Sequence, residues 1–111
     1  MVEKLIREYL KRQLNMKVYL EEPESKESEY LVVMKTGSSR RNHIPSAMIT
    51  VRSYAASLSR AIDLNELVKE TMYGAIELSD IVKVELNSDY NYTDTETKRY
   101  RYQAVFDVTH Y

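Results

Sequence analysis

The chain has no cysteine and no tryptophan, and only two glycines and two prolines among its 111 residues. The missing cysteine removes disulfides, zinc–thiolate sites and thiol nucleophiles, and it suits a reducing compartment. Gly37 and Gly74 stand in no phosphate-cradling pattern, so nothing in the sequence points to a nucleotide site. An excess of one charge is also lacking. Sixteen basic side chains face seventeen acidic ones, and a net charge of -1 provides no global field to draw in nucleic acid or an anionic membrane. No apolar run approaches the roughly 20 residues that a membrane-spanning helix needs. Charges spread through MVEKLIREYLKRQL where a leader peptide would carry an apolar core. The expectation is a protein made in the cytoplasm, neither processed nor anchored.

Histidine is scarce too. His43 lies in a loop and His110 near the last residue, neither with a second ligand at i,i+4 spacing, so no metal site is expected. No stretch resembles a nucleophile elbow, and serines and carboxylates scattered along a chain do not make a triad. The sequence therefore predicts no catalytic residue, no cofactor and no enzyme.

What is present is a clear change of period. Val2, Leu5, Ile6, Tyr9, Leu10 and Leu14 recur at threes and fours, which predicts a helix over 2–14 with Asn15 as its stop. Charge pairs such as Glu3 with Arg7 and Glu8 with Arg12 lie on the other side at i,i+4, each worth ~0.3 kcal/mol. MKVYL (16–20), YLVVMKT (30–36) and SAMITVRSY (46–54) are rich in β-branched and aromatic residues and predict strands. GSSRRNHIP (37–45) reads as an extended basic tip between the last two. From Ala55 the period turns helical as far as Tyr73–Ile76, with Ser53 as the candidate N-cap. Alternation returns at 82–86 and again over 98–111, where Tyr100, Tyr102, Phe106 and Val108 form the face expected to pack the core. The order is α-β-β-β-α-β-β, one α+β domain over 1–111 with a mixed or antiparallel sheet flanked by two helices.

Tyrosine is the residue in surplus. Tyr90, Tyr92, Tyr100, Tyr102 and Tyr111, half of the ten, lie in the last 22 residues. A helix packed on the sheet uses some of them. Tyr90, Tyr92 and Tyr111 fall outside that register, and tyrosine favours surfaces that are apolar at one end and wet at the other. LNSDYNYTDTETK lacks the central Gly and alternating ligands of a calcium loop, and reads as a hairpin connection stiffened by Asn, Asp and Thr. Arg40, Arg41 and His43, with Lys35 nearby, form a basic cluster. No aromatic is interleaved there to stack bases, so the cluster reads either as a solvated tip or as a contact with an acidic partner surface or DNA backbone, protein being favoured over DNA.

Three segments together carry a resemblance. TGSSRRNHI (36–44), SYAASLSRAIDLNELVKETM (53–72) and LNSDYNYTDTETKRYRYQAVFDVTHY (86–111) are similar to small proteins of the tail terminator, or tail-completion, family of long-tailed phages and Gram-positive prophages. The last segment is the most specific, with NSDYN, TDT and RYQA in order. The resemblance implies an α+β subunit assembled into a six-membered ring on the head-proximal end of the tail tube. There it ends polymerisation of the major tail tube protein and meets the head connector or neck protein, without cofactor, membrane or specific nucleic acid. The location implied is the virion, after synthesis in the host cytoplasm; a head-side completion protein of the same neck is the alternative. The contact loops it implies are Gly37–His43, including Arg40, Arg41 and His43, and Asn87–Thr97, including Asp89, Tyr90, Asn91, Tyr92 and Asp94; Tyr111 joins these candidates from its place outside the core register. One departure is Arg60, at a position where a Glu is more familiar in that family.

Overall fold

A computed structural model describes residues 2–24, 28–41 and 44–111. Helix α1 (Val2–Leu14) ends where expected, because Asn15 takes the left-handed conformation at φ 50° and returns its N–H to the Lys11 carbonyl. Strand β1 is only Val18–Tyr19. Strands β2 (Tyr30–Arg41) and β3 (Ile44–Ala55) follow, then helix α2 (Leu58–Tyr73), a 3-10 turn (Gly74–Glu77), β4 (Ile81–Asn91) and β5 (Tyr100–His110). The sheet order is β1-β2-β3-β5-β4, with β1 parallel to β2 and every other pair antiparallel. The crossover through α2 leaves β3 and β4 on either side of the last strand.

Both helices lie on one face of the sheet. Ile6, Tyr9 and Leu10 of α1 and Leu64, Val68 and Met72 of α2 join one core cluster with Leu31, Val33, Ile49, Val51, Ala104, Phe106 and Val108. Those strand positions alternate, as a half-covered sheet requires. The intervening residues, among them Val32, Arg52, Tyr54, Arg101 and Gln103, point to the face that carries no helix.

Several boundaries differ from expectation, each for a pairing reason. The basic loop 37–45 is mostly strand: Arg40 pairs with Pro45 and Arg41 with Ile44, and Pro45 is tolerated because β5 flanks β3 only from Ser46 onward. A bulge between Lys35 and Gly37 keeps the two long strands in register past that point. Ser53 is not the N-cap of α2. It is fully buried in β3, which stays paired with β5 as far as Ala55, and Ser57 caps the helix by accepting from the Arg60 N–H at 3.2 Å. Strand β4 continues to Asn91, five residues beyond 82–86. Tyr100 and Tyr102 are only half-buried and stand outside the core cluster. Their partners Ala55 and Ser53 adjoin the turn that leads into α2, so the helix covers that end incompletely.

Gly74 is required by a close approach. Its backbone is ordinary right-handed helix, φ -71° and ψ -12°, yet a Cβ built there would sit 2.5 Å from the Tyr9 hydroxyl. That hydroxyl donates to the Thr71 carbonyl at 2.9 Å and ties α1 to the end of α2. Gly74→Ala should therefore cost about 1–3 kcal/mol by overpacking. In a Tyr9→Phe background the same change should become neutral or stabilise by up to ~1 kcal/mol, since the clashing oxygen is gone and Ala is the better helix residue. Denaturant unfolding of the four proteins in the cycle measures the reversal, and an equal cost in both backgrounds would refute the contact.

Candidate functional site

The face without helices is built in cross-strand rows. Tyr30, Tyr54 and Arg101 are register partners across β2, β3 and β5, and Tyr92 continues the row by donating its N–H to the Arg101 carbonyl at 2.9 Å. The next row is Val32, Arg52, Gln103 and Tyr90. Because side chains at such positions stand side by side, arginines and tyrosines interleave. The Arg52 and Arg101 guanidinium carbons lie 4.9 and 4.6 Å from the Tyr92 ring centroid, and Arg99 lies 4.9 Å from that of Tyr54. Tyr30 and Tyr54 stack at 4.5 Å with their planes 10° apart. Hydrogen bonds fix the guanidiniums: Arg52 Nε donates to Gln103 Oε1 at 2.7 Å, and Arg101 Nε to the Tyr92 carbonyl at 2.6 Å. Gln103 Nε2 in turn donates to the Tyr90 hydroxyl at 2.5 Å.

Glu22 closes one end of this shelf. It accepts from the Tyr54 hydroxyl and, at 3.2 Å, from the Tyr30 hydroxyl, while Arg99 donates to the Tyr30 hydroxyl and lies 3.6 Å from the Glu22 carboxylate. A second carboxylate of the same connection, Glu29, pairs with Arg60 of α2 through two hydrogen bonds of 2.7 and 2.9 Å. Arg60, the departure noted in the sequence, thus has a local structural partner. Its guanidinium holds the Glu29 carboxyl below the usual carboxylate range.

Burial, reinforced by the negative charge of Glu22, pushes the Tyr30 hydroxyl up to about 12 and raises that of Tyr54 as well. A folded-state pKa above the unfolded value means that the neutral phenol contributes stability in full below about pH 10 and loses it as the pH rises toward 12. Ultraviolet titration should show these tyrosines ionising late. Glu22→Gln should bring them forward, by removing the charge that opposes phenolate. Unchanged late ionisation in Glu22→Gln would refute the role given to that carboxylate.

The residues singled out in the sequence separate into three places. Arg40 and Arg41 lie at the β2–β3 end of the sheet, with Arg40 and His110 lining one shallow hollow, and the Tyr111 N–H is held by the Asp80 carbonyl. The side chain of Arg41 and the whole of His43 fall outside the described residues. Tyr90, Asn91, Tyr92 and Asp94 lie toward the opposite end. There Asn91 accepts from the Thr93 N–H, and Asp94 from those of Glu96 and Thr97, so both side chains stiffen the hairpin as expected. The bonds from Thr97 hold the Asp94 carboxyl below its ordinary range. Asp89 is elsewhere. It faces the helices and accepts from Asn65 Nδ2 at 2.9 Å and from Lys69 at 3.0 Å, pinning α2 to β4. Only Tyr90 and Tyr92 belong to the shelf. Tyr30, Tyr54, Arg52, Arg99 and Arg101 were missed, although the alternation of arginine with tyrosine over 99–102 was the available signal. No protein-family model matches this sequence, and no curated protein matches it at a significant level.

Proposed function

We propose that this protein is a structural subunit of a long-tailed phage or prophage, forming a ring on the head-proximal end of the tail tube. The ring ends tube polymerisation and receives the head. The observation that carries this reading is the position of the two expected contact hairpins, the basic β2–β3 end and the polar β4–β5 end, at opposite poles of a subunit 44 Å long and 24 Å across. A part that joins a tube to a connector needs two such poles, and a ring needs complementary lateral surfaces besides. The α+β architecture, a mixed sheet with two helices, is the one that the three-segment resemblance implies, which supports the same reading. The partners are further copies of the chain, the tube protein and a neck protein of the head.

The direct test mixes purified protein with the cognate tube protein during polymerisation. Tubes should stop growing and carry the protein at one end. Tubes that grow unchecked with bare ends would sink the reading. Immunolabelling of separated heads and tails then decides its side of the neck, since a head-completion factor stays with tail-less heads.

A further inference from the structure

The arginine–tyrosine end of the helix-free sheet face and the outer face of α2 carry opposite chemistries. On the sheet, Arg52 and Arg101 have no carboxylate within ion-pair distance among the described residues, and they are held in place by Gln103 and by the Tyr92 ring and carbonyl. Guanidiniums already pack on these rings, so the shelf presents hydrogen-bond donors more than free aromatic planes. That suits a carboxylate better than a stacked base. On α2, Asp63, Glu66 and Glu70 recur at threes and fours along the exposed face, with Leu67 46% and Tyr73 48% exposed beside them. Lys69 offsets Glu66 at 2.5 Å, while Asp63 and Glu70 form no ion pair among the described residues.

We infer that the arginine–tyrosine shelf of one copy docks on the acidic outer face of α2 of the next, a head-to-tail contact between opposite sides of the subunit. Charge complementarity selects the occupant. Arginine and tyrosine are the residues enriched at the centres of protein interfaces, and the exposed Leu67 and Tyr73 supply apolar area beside the carboxylates. The whole subunit measures 44 × 24 × 24 Å, and a stable contact takes ~800 Å² per partner. The two patches lie on opposite sides of a two-layer subunit, so the contact is heterologous and repeats from copy to copy, giving a ring where the rotation per step closes and an open filament where it does not. This docking deepens the reading of the chain as a ring-forming subunit and rests on it for closure.

The test is a charge-swap pair. One variant carries Arg52→Glu with Arg101→Glu, the other Asp63→Lys with Glu70→Lys, and circular dichroism checks that both fold. Sedimentation at low salt should show self-association of each variant weakened about tenfold or more. An equimolar mixture should recover it, because every contact between unlike variants again joins opposite charges. A second probe uses the absence of cysteine: a chain with Tyr92→Cys and Glu70→Cys should form a disulfide-linked ladder, and either substitution alone should give dimers at most. Self-association indifferent to the swaps, no recovery on mixing, or no ladder at the highest attainable concentration would each overturn the docking. So would single-stranded DNA binding that depends on Arg52 and Arg101 while self-association is unchanged. Tube capping is read separately. Capping without the charge code sinks the docking alone, and the charge code without capping sinks the tail-tube reading alone.

Discussion

Asn65→Asp should cost about 3–5 kcal/mol at neutral pH, although it hardly changes the shape of the side chain. Asn65 lies in the buried stripe of α2 and is 1% exposed. Its Nδ2 donates to Asp89, and its Oδ1 has no partner among the described residues. Aspartate would replace that donor with a buried second carboxylate facing Asp89, whose own side chain is only partly open to water. Lys69 is the nearby cation, and it already serves Asp89 at 3.0 Å and Glu66 at 2.5 Å. Its own pKa is raised, first by Glu66 and then by Asp89. One ammonium cannot satisfy three carboxylates, so the new acid should be protonated well above the ordinary range near 3.9. The sign follows from linkage: with its folded pKa raised, the variant approaches the parent below about pH 4 and falls away from it as the pH climbs through that pKa. Denaturant midpoints across pH measure this. A constant difference at every pH would mean that the carboxylate escapes to water.

Phe106→Ala should be comparably severe, about 3–5 kcal/mol out of the ~5–15 kcal/mol typical of a domain. Phe106 is fully buried and lies between Ile49 on β3 and Leu86 on β4, so its ring fills the middle of the layer between sheet and helices. The useful comparison is Met48→Ala, one residue from Ile49 but on the helix-free face, where Met48 is 38% exposed. Its cost should stay near 1 kcal/mol or less. Similar losses at both positions, read by thermal or denaturant unfolding, would mean that the second face is covered as tightly as the first.

The parts of this fold legible in the sequence were those governed by periodicity. Helix α1, the existence and type of the later elements and the single α+β domain follow from apolar spacing, and Asn15 from its tolerance of positive φ. The ends of β2, β3 and β4 were not legible, because polar residues such as Ser38, Arg40 and Asp89 are drawn into strands by their neighbours and not by their own propensity. Ser53 misled for the same reason. A serine before an apolar helical run looks like a cap until pairing with Tyr102 claims it for the sheet. Of the candidate site, Tyr90 and Tyr92 were reached through their surplus to the core. Their companions Arg52, Tyr54 and Tyr30 lie some 40 to 60 residues earlier and meet them only through the strand order β2-β3-β5-β4.

That strand order also sets how the chain must fold. The β2–β3 hairpin closes locally, but β3 finds its second neighbour, β5, only after α2 and β4 have been threaded past, so the sheet is completed by contacts of long sequence separation. Such topologies fold on the slower, millisecond-to-second side of the range for small domains. Until β5 docks, the inner edge of β3 is an open template for another chain. On the proposed ring assembly, folding and assembly then compete for the same backbone edge. Amide exchange should be slowest in β3 and β5, which are flanked on both sides over nearly their whole length, whereas β1 covers β2 only at Leu31 and Val32. For the ring proposed above, the arrival of β5 is the step that would separate ordered assembly from aggregation.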